Sequence, residues 1–152
     1  MYTIRPAGSL DIETLCSIDQ VAQCSRQRRE FITRSVAMGC CVVIVTPDDQ
    51  PVGYGVIDYS FYEQGFISMV YVSPAHRGHG AATQLLCHLE CRCRTPKLFT
   101  STNLSNQPMQ ALLAKQGYHL SGVIQDLDDG DPELVYMKRL KANGDRQPVK
   151  DR

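Results

Sequence analysis

The period of apolar and polar positions changes several times along the chain, and each change marks an element. Residues 2–5 alternate and stop before Pro6 and Gly8, which predicts a short first strand. Ser9 stands where an N-cap belongs, and Leu10, Ile12, Leu15, Cys16 and Ile18 follow on a predicted helix. A second helix is predicted over 25–38, with Phe31, Ile32, Ser35 and Val36 on one side and Gly39 at its end. Residues 40–45 are a β-branched run, Thr46-Pro47-Asp48-Asp49-Gln50-Pro51 reads as a hairpin turn, and 52–61 reads as the next strand. Tyr62-Glu63-Gln64-Gly65 looks like a second turn, leading into a strand over 66–72. Helical spacing returns over 81–94 and breaks at Thr95-Pro96. A strand over 97–101 follows, then a short helix with Met109, Leu112 and Leu113 inward that closes at Gly117. Strands over 118–127 and 133–140 flank the turn Asp128-Asp129-Gly130-Asp131-Pro132.

This order predicts an α/β fold with a mixed sheet, in one domain over residues 1–140. Residues 141–152 are polar, contain Gly144 and Pro148, and read as a disordered tail.

Composition narrows the function classes. Sixteen basic and sixteen acidic residues cancel, so no global field draws the chain to nucleic acid or an anionic membrane. No apolar run approaches the roughly 18 residues of a membrane span. The start, Met1-Tyr2-Thr3-Ile4-Arg5-Pro6, lacks the apolar core of a signal peptide, and the expected location is cytoplasmic. Arg26-Gln27-Arg28-Arg29 is followed by Glu30 and a helical pattern, and reads as a solvated helix face. Seven cysteines without a secretory signal read as reduced thiols, most of them small buried hydrophobes. No metal site is expected: Cys87 and Cys91 share a helix face, Cys93 points elsewhere, and the paired C-x-x-C is missing.

The chemistry concentrates at the junction over 70–82. A hydrophobic strand ending Val70-Tyr71-Val72 stops at Ser73-Pro74 and turns through a basic, glycine-punctuated loop into a helix. The first amides of that helix have no intrahelical acceptor, and Gly78 and Gly80 keep side chains away from the backbone, which together suit a phosphate or pyrophosphate. Arg77 adds a charge that can pair with phosphate oxygens, and His76 and His79 add more at mildly acidic pH.

Arg77-Gly78-His79-Gly80-Ala81-Ala82 resembles the (Gln/Arg)-x-x-Gly-x-(Gly/Ala) signature of the GNAT superfamily of acetyl-coenzyme A-dependent N-acetyltransferases. A second motif, from Asn106 to Tyr118, is similar to Asn-x-x-Ala-x-x-Leu-Tyr-x-Lys-x-Gly-Phe, with Asn106, Leu112, Lys115 and Gly117 matching and Tyr118 in the aromatic slot. The resemblance covers about residues 1–140. It implies a mostly antiparallel sheet whose central parallel strands splay apart, flanked by about four helices. It also implies acetyl-coenzyme A as co-substrate, with its pyrophosphate on the loop amides of Arg77, Gly78, His79, Gly80, Ala81 and Ala82. Its pantetheine would lie along the main chain of Val70, Tyr71 and Val72, and Asn106 joins the cofactor set.

The implied reaction is acetyl transfer to a primary amine of a small molecule or peptide by direct attack in a ternary complex. The oxyanion donor implied is a backbone N–H on the 70–72 strand. The register counted back from Tyr62-Glu63-Gln64-Gly65 sets Asp58 opposite Met69, close to the splay, and makes Asp58 the expected base. The family's usual tyrosine proton donor falls at Leu113, so Tyr71, Tyr118 or water replaces it. Tyr54, Tyr59, Phe61 and Tyr62 suggest aromatic walls for the acceptor site. A homodimer is compatible with these features. The missing tyrosine leaves open a second reading, a module that binds or senses acyl-coenzyme A without transferring the acyl group.

Overall fold

The computed structural model describes residues 1–142; the expected disordered tail lies, but for its first two residues, outside them. Seven strands form one sheet: β1 (Thr3–Pro6), β2 (Cys41–Val45), β3 (Pro51–Phe61), β4 (Gln64–Val72), β5 (Lys97–Asn103), β6 (His119–Ile124) and β7 (Glu133–Arg139). Their spatial order is β1-β2-β3-β4-β5-β7-β6, and β4–β5 is the parallel pair among antiparallel neighbours. Four α-helices flank the sheet: α1 (Ile12–Ile18), α2 (Arg26–Ala37), α3 (Ala81–Arg92) and α4 (Gln107–Lys115). The expected mixed, mostly antiparallel α/β fold with four helices is the fold observed. No helix among the described residues is long and apolar enough to cross a membrane.

Alternation along β2 and β3 divides the core in two. Val43, Val45, Tyr54 and Val56 pack with Leu15 of α1 and Ile32 and Val36 of α2. Val42, Ile44 and Val52 face the other way, onto Leu85, Leu86 and Leu89 of α3 and Leu113 of α4. Ser25 caps α2 by accepting the Arg28 N–H.

The entry to α1 differs from expectation. Gly8, not Ser9, is the capping position of a short 3₁₀ turn over Ser9–Asp11, and the Asp11 carboxylate accepts the Gly8 N–H at 2.7 Å. The tight turn rotates Leu10 outward, leaving it 94% exposed.

The β3–β4 hairpin is also tighter than expected. Tyr62 and Glu63 both take positive φ (51° and 62°), so the turn is a two-residue one between Phe61 and Gln64. Gly65, counted as a turn residue from the sequence, lies inside β4. It is a glycine for space, because a Cβ there would run into Cys93 Sγ.

Two of the seven cysteines, Cys41 and Cys93, are buried, while Cys24 and Cys91 are exposed and the other three half-buried. Burial pushes the Cys41 thiol up to about 12. The description of most cysteines as buried hydrophobes therefore holds for two. The arginine cluster divides as well: Arg26 pairs with Glu30 on the helix surface, whereas Arg28 turns inward to Asp19.

Candidate active site at the opening between β4 and β5

The parallel ladder between β4 and β5 has three pairs, Gly65–Leu98, Phe66–Phe99 and Ile67–Thr100. Thr100 Oγ1 donates to the Ile67 carbonyl at 2.9 Å and fixes the last of them. Beyond it the strands continue unpaired, β4 to Val72 and β5 to Asn103. The cause is visible on the β3 side. Val56 stands opposite Met69 and Ile57 opposite Ile67, so Ser68 is an extra residue in β4. A bulge of this kind bends its strand and ends regular pairing.

Past the bulge, the Ser73 N–H donates to the Val52 carbonyl at 2.8 Å. Counting back through Gly53–Val72, Tyr54–Tyr71 and Gly55–Val70, alternation aims the main-chain groups of Val70 and Val72 away from β3 and into the opening. One of these is already engaged: Arg77 Nε donates to the Val72 carbonyl at 2.9 Å.

The junction into α3 forms the other half of the site. A 3₁₀ turn over Pro74–His76 leads to Arg77, and Gly78 and Gly80 take φ of +79° and +83°. No atom lies within 4 Å of a Cβ placed at either glycine, so left-handed backbone, rather than crowding within the protein, demands glycine there. The Gln84 N–H closes the first helical bond onto the Gly80 carbonyl, leaving the amides of Ala81, Ala82 and Thr83 without intrahelical acceptors. They border a cavity of about 210 Å³ lined by Val72, His76, Arg77, Gly78, Ala82 and Leu112 among others. His76 is steadied by a 2.9 Å hydrogen bond between its Nδ1 and the Tyr2 hydroxyl, and His79 is exposed. Asn106 Oδ1 caps α4 by accepting the Met109 N–H, so the amide NH₂ is the group it has left for a ligand.

The expected acid–base residues fare differently. Asp58 stands opposite Phe66, not Met69, because the hairpin is tighter and the register shifts once more between Asp58 and Phe61. Phe66 belongs to the paired part of the β4–β5 ladder, so Asp58 is displaced toward the closed end. Its Oδ1 accepts from the Ser60 N–H at 3.0 Å and the Ser60 hydroxyl at 2.6 Å.

The Tyr71 hydroxyl donates to the Ile18 carbonyl at 3.2 Å and accepts the Gln20 N–H at 3.0 Å, tying the segment after α1 to the sheet. Tyr118 is buried and donates to Glu90 at 3.0 Å; burial raises its pKa, and the neighbouring carboxylate adds to the rise. Leu113 is fully buried in the core.

The aromatic wall also dissolves. Tyr54 is fully buried, and the Tyr59 hydroxyl accepts the Arg94 N–H while the Arg94 guanidinium lies 4.2 Å from its ring. Phe61 and Tyr62 remain beside Phe99 at a separate cavity of about 430 Å³ that Val123 and Val135 also line.

Sequence reasoning missed two features. Asp19 is wholly buried and accepts from Tyr54 (2.6 Å), Arg28 (2.9 Å) and the amides of Val21 and Ala22. Nothing in the sequence pairs these distant residues. Ser68 was the second, and its signal was present: a hydroxyl inside the apolar run Phe66-Ile67-Ser68-Met69-Val70.

Comparison with known proteins agrees with this geometry. A model of the GNAT acetyltransferase family matches residues 10–118. The chain is similar to a solved GNAT-family acetyltransferase from Bacillus cereus ATCC 10987, with 32% identity and a TM-score of 0.85 over 93% of this chain and 99% of that one. At the level of fold it is similar to Ard1 from Thermoplasma volcanium, with 16% identity and a TM-score of 0.81 over 93% and 99% of the two chains. Arabidopsis thaliana NAA60, solved with a bisubstrate analogue, matches with 16% identity and a TM-score of 0.75 over 92% and 98%. No curated protein matches the chain.

Proposed function

The chain belongs to the GNAT acetyltransferase family, and from that premise we propose that it transfers the acetyl group of acetyl-coenzyme A to a primary amine of a small molecule or peptide. One observation carries this reading. The β4–β5 ladder ends at Ile67–Thr100, while β4 runs on to a left-handed glycine at the start of α3. That places an open strand edge and a row of free amides end to end, which fits a ligand with an amide-bearing arm and a pyrophosphate.

In this reading the loop amides and Arg77 take the pyrophosphate, and Val70 and Val72 add main-chain hydrogen bonds to the pantetheine. A β4 amide near the bulge stabilises the oxyanion. The neutral amine attacks the thioester carbon in a ternary complex. The C–N bond forms, the C–S bond breaks, the amine proton passes to water, and the thiolate leaves and is protonated from solvent. Nothing basic is required at Asp58.

A second reading, a module that binds acyl-coenzyme A without transferring it, is favoured by one specific finding. The groups expected to move protons are held or displaced: Tyr71 is bonded to Ile18 and Gln20, Tyr118 to Glu90, Leu113 stands at the tyrosine position, and Asp58 lies level with the closed part of the β4–β5 ladder.

Thiol release from acetyl-coenzyme A, measured across primary amines and short peptides with free N termini, separates the two. Transfer predicts release above the hydrolysis background for at least one acceptor. Ligand-induced thermal stabilisation with no release from any amine supports the binding module.

A further inference from the structure

The two faces of the sheet are covered unequally. On one of them α1 and α2 pack over β2, β3 and the Met69 and Tyr71 end of β4, and no residue of β5, β6 or β7 joins that core. Alternation sets Phe66 and Phe99, a pair in the parallel ladder, on this same face, since their neighbours Ile67 and Leu98 belong to the core beneath α3. Val135 joins them there, standing between Leu134 and Tyr136 of that other core.

Phe61 closes over this patch from the hairpin. Its ring stacks on Phe66 with centroids 5.1 Å apart and lies 5.2 Å from the Phe99 ring. Phe61, Phe99, Gly122, Ile124 and Val135 line the cavity of about 430 Å³ noted above, and no charged residue lines it. Asp58 and Glu133 share the face, opposite Phe66 and Ile124, and stand outside the lining. A space of this size with aromatic and aliphatic walls suits the apolar part of a small ligand.

Gly122 points to a ligand independently. It stands opposite Val135, so a side chain there would project into the cavity. Its φ is not positive, and no atom lies within 4 Å of a Cβ placed on it. Neither left-handed backbone nor crowding within the protein calls for glycine, and the register shift beside it, between Leu120 and Gly122, does not supply a positive φ either. Glycine weakens a strand, and the close approach of a ligand is a physical reason to keep one there.

The cavity also adjoins the opening. Val135 stands opposite Ser101, the first β5 residue past the last parallel pair, and Phe99 lies two residues back, about 7 Å along the strand. The cavity at the start of α3, where the coenzyme is assigned, includes Leu112 of α4 and so lies on the other side of the sheet. An amine that meets the thioester at the opening therefore arrives over Phe99, and the group it carries lies against the aromatic patch.

We propose that this cavity is the acceptor subsite, and that it selects primary amines carrying an uncharged apolar group, an aryl ring above all, a short alkyl link away from the nitrogen. The proposal rests on the transferase reading above and names its substrate class. Phenethylamine and a peptide that begins with phenylalanine present the same chemistry from two sources.

The test measures thiol release from acetyl-coenzyme A with phenethylamine, a phenylalanine-initiated tripeptide, ethylamine, ethanolamine and 1,3-diaminopropane. In wild-type protein, kcat/KM for phenethylamine or the tripeptide is expected to exceed that for each of the other three by about ten-fold or more. The ratio between those two identifies the source. Gly122→Phe fills the cavity from an open position and suits a strand, so it is expected to keep the melting temperature and acetyl-coenzyme A affinity while cutting the preference for the aryl amine over ethylamine about ten-fold. Phe61→Ala, which removes a wall instead, is expected to cut the same preference, and calorimetry with acetyl-coenzyme A checks that it is folded.

Thiol release that is equal across the amines in wild-type protein would overturn this proposal alone and leave the transferase reading standing. A preference for the aryl amine that survives intact in Gly122→Phe would overturn it too, by placing the apolar group elsewhere. Binding of acetyl-coenzyme A with no release from any of the amines would defeat the transferase reading, and this proposal with it.

Discussion

Arg77 Nε donates to the Val72 carbonyl at 2.9 Å, and the guanidinium carbon lies 5.5 Å from the centre of the Tyr71 ring. The arginine thus folds back on the end of β4 and lines the cavity at the start of α3. Fixing Nε while leaving the terminal nitrogens to an anion needs the planar fork of arginine, which lysine lacks. Arg77→Lys is therefore expected to weaken acetyl-coenzyme A binding nearly as much as Arg77→Ala, about ten-fold, or ~1.4 kcal/mol. Calorimetry on the three proteins decides it; full affinity in the lysine variant would mean that point charge alone matters.

Gly80 carries φ of +83° with open space around its Cβ position, which separates charge from shape in a mutational test. Asparagine tolerates the left-handed region and is neutral, whereas aspartate is nearly isosteric and negative. Gly80→Asp is expected to abolish the thermal stabilisation by acetyl-coenzyme A, and Gly80→Asn to keep most of it. Loss in both variants would trace the defect to bulk at the helix start rather than to an anion site.

Much of this site was legible in the chain. Gly78, Gly80 and the strand-to-helix switch are legible because left-handed backbone and free helix-start amides are local properties. The parallel β4–β5 pair was legible only through resemblance, since periodicity does not say which strands are neighbours. Register was the weakest inference. Gly65 looks like a turn glycine but is one for clearance from Cys93, and Tyr62 and Glu63 make the turn with positive φ that their side chains disfavour. That change, with the register shift between Asp58 and Phe61, moves Asp58 from Met69 to Phe66. A one-residue insertion is decided by packing on both faces of a strand, which a linear pattern does not contain.

The capping of the first 3₁₀ turn gives a pH dependence with a definite sign. Bidentate hydrogen bonds from Arg5, at 2.8 and 3.0 Å, hold the Asp11 carboxyl below its usual range; burial opposes the shift, and the Gly8 N–H reinforces it. A depressed native pKa means that this stabilisation is complete above the unfolded value, about 3.9, and is lost as pH falls through the native one. Asp11→Asn is expected to lower the melting temperature at pH 7, and the gap from wild type is expected to close as pH is lowered below about 4. A gap that stays constant through acid would assign the effect to geometry rather than charge.

Asp58 offers the sharpest contrast between linear and spatial reading. Opposite Met69 it would stand beside the opening; opposite Phe66 it stands level with a closed parallel pair, its Oδ1 shared by the Ser60 amide and hydroxyl. Its place level with the closed pair, rather than saturation of the carboxylate, keeps it from the opening, because both bonds from Ser60 fall on Oδ1. Asp58→Asn keeps the shape and an oxygen to accept from Ser60, so it isolates the charge. Its kcat/KM with the best amine of the panel is expected to stay within about two-fold of wild type, against the roughly 10²-fold loss typical of a missing general base. A loss of that larger size, with unchanged acetyl-coenzyme A affinity, would mean that the β3–β4 hairpin rearranges when substrates bind and brings Asp58 to the opening.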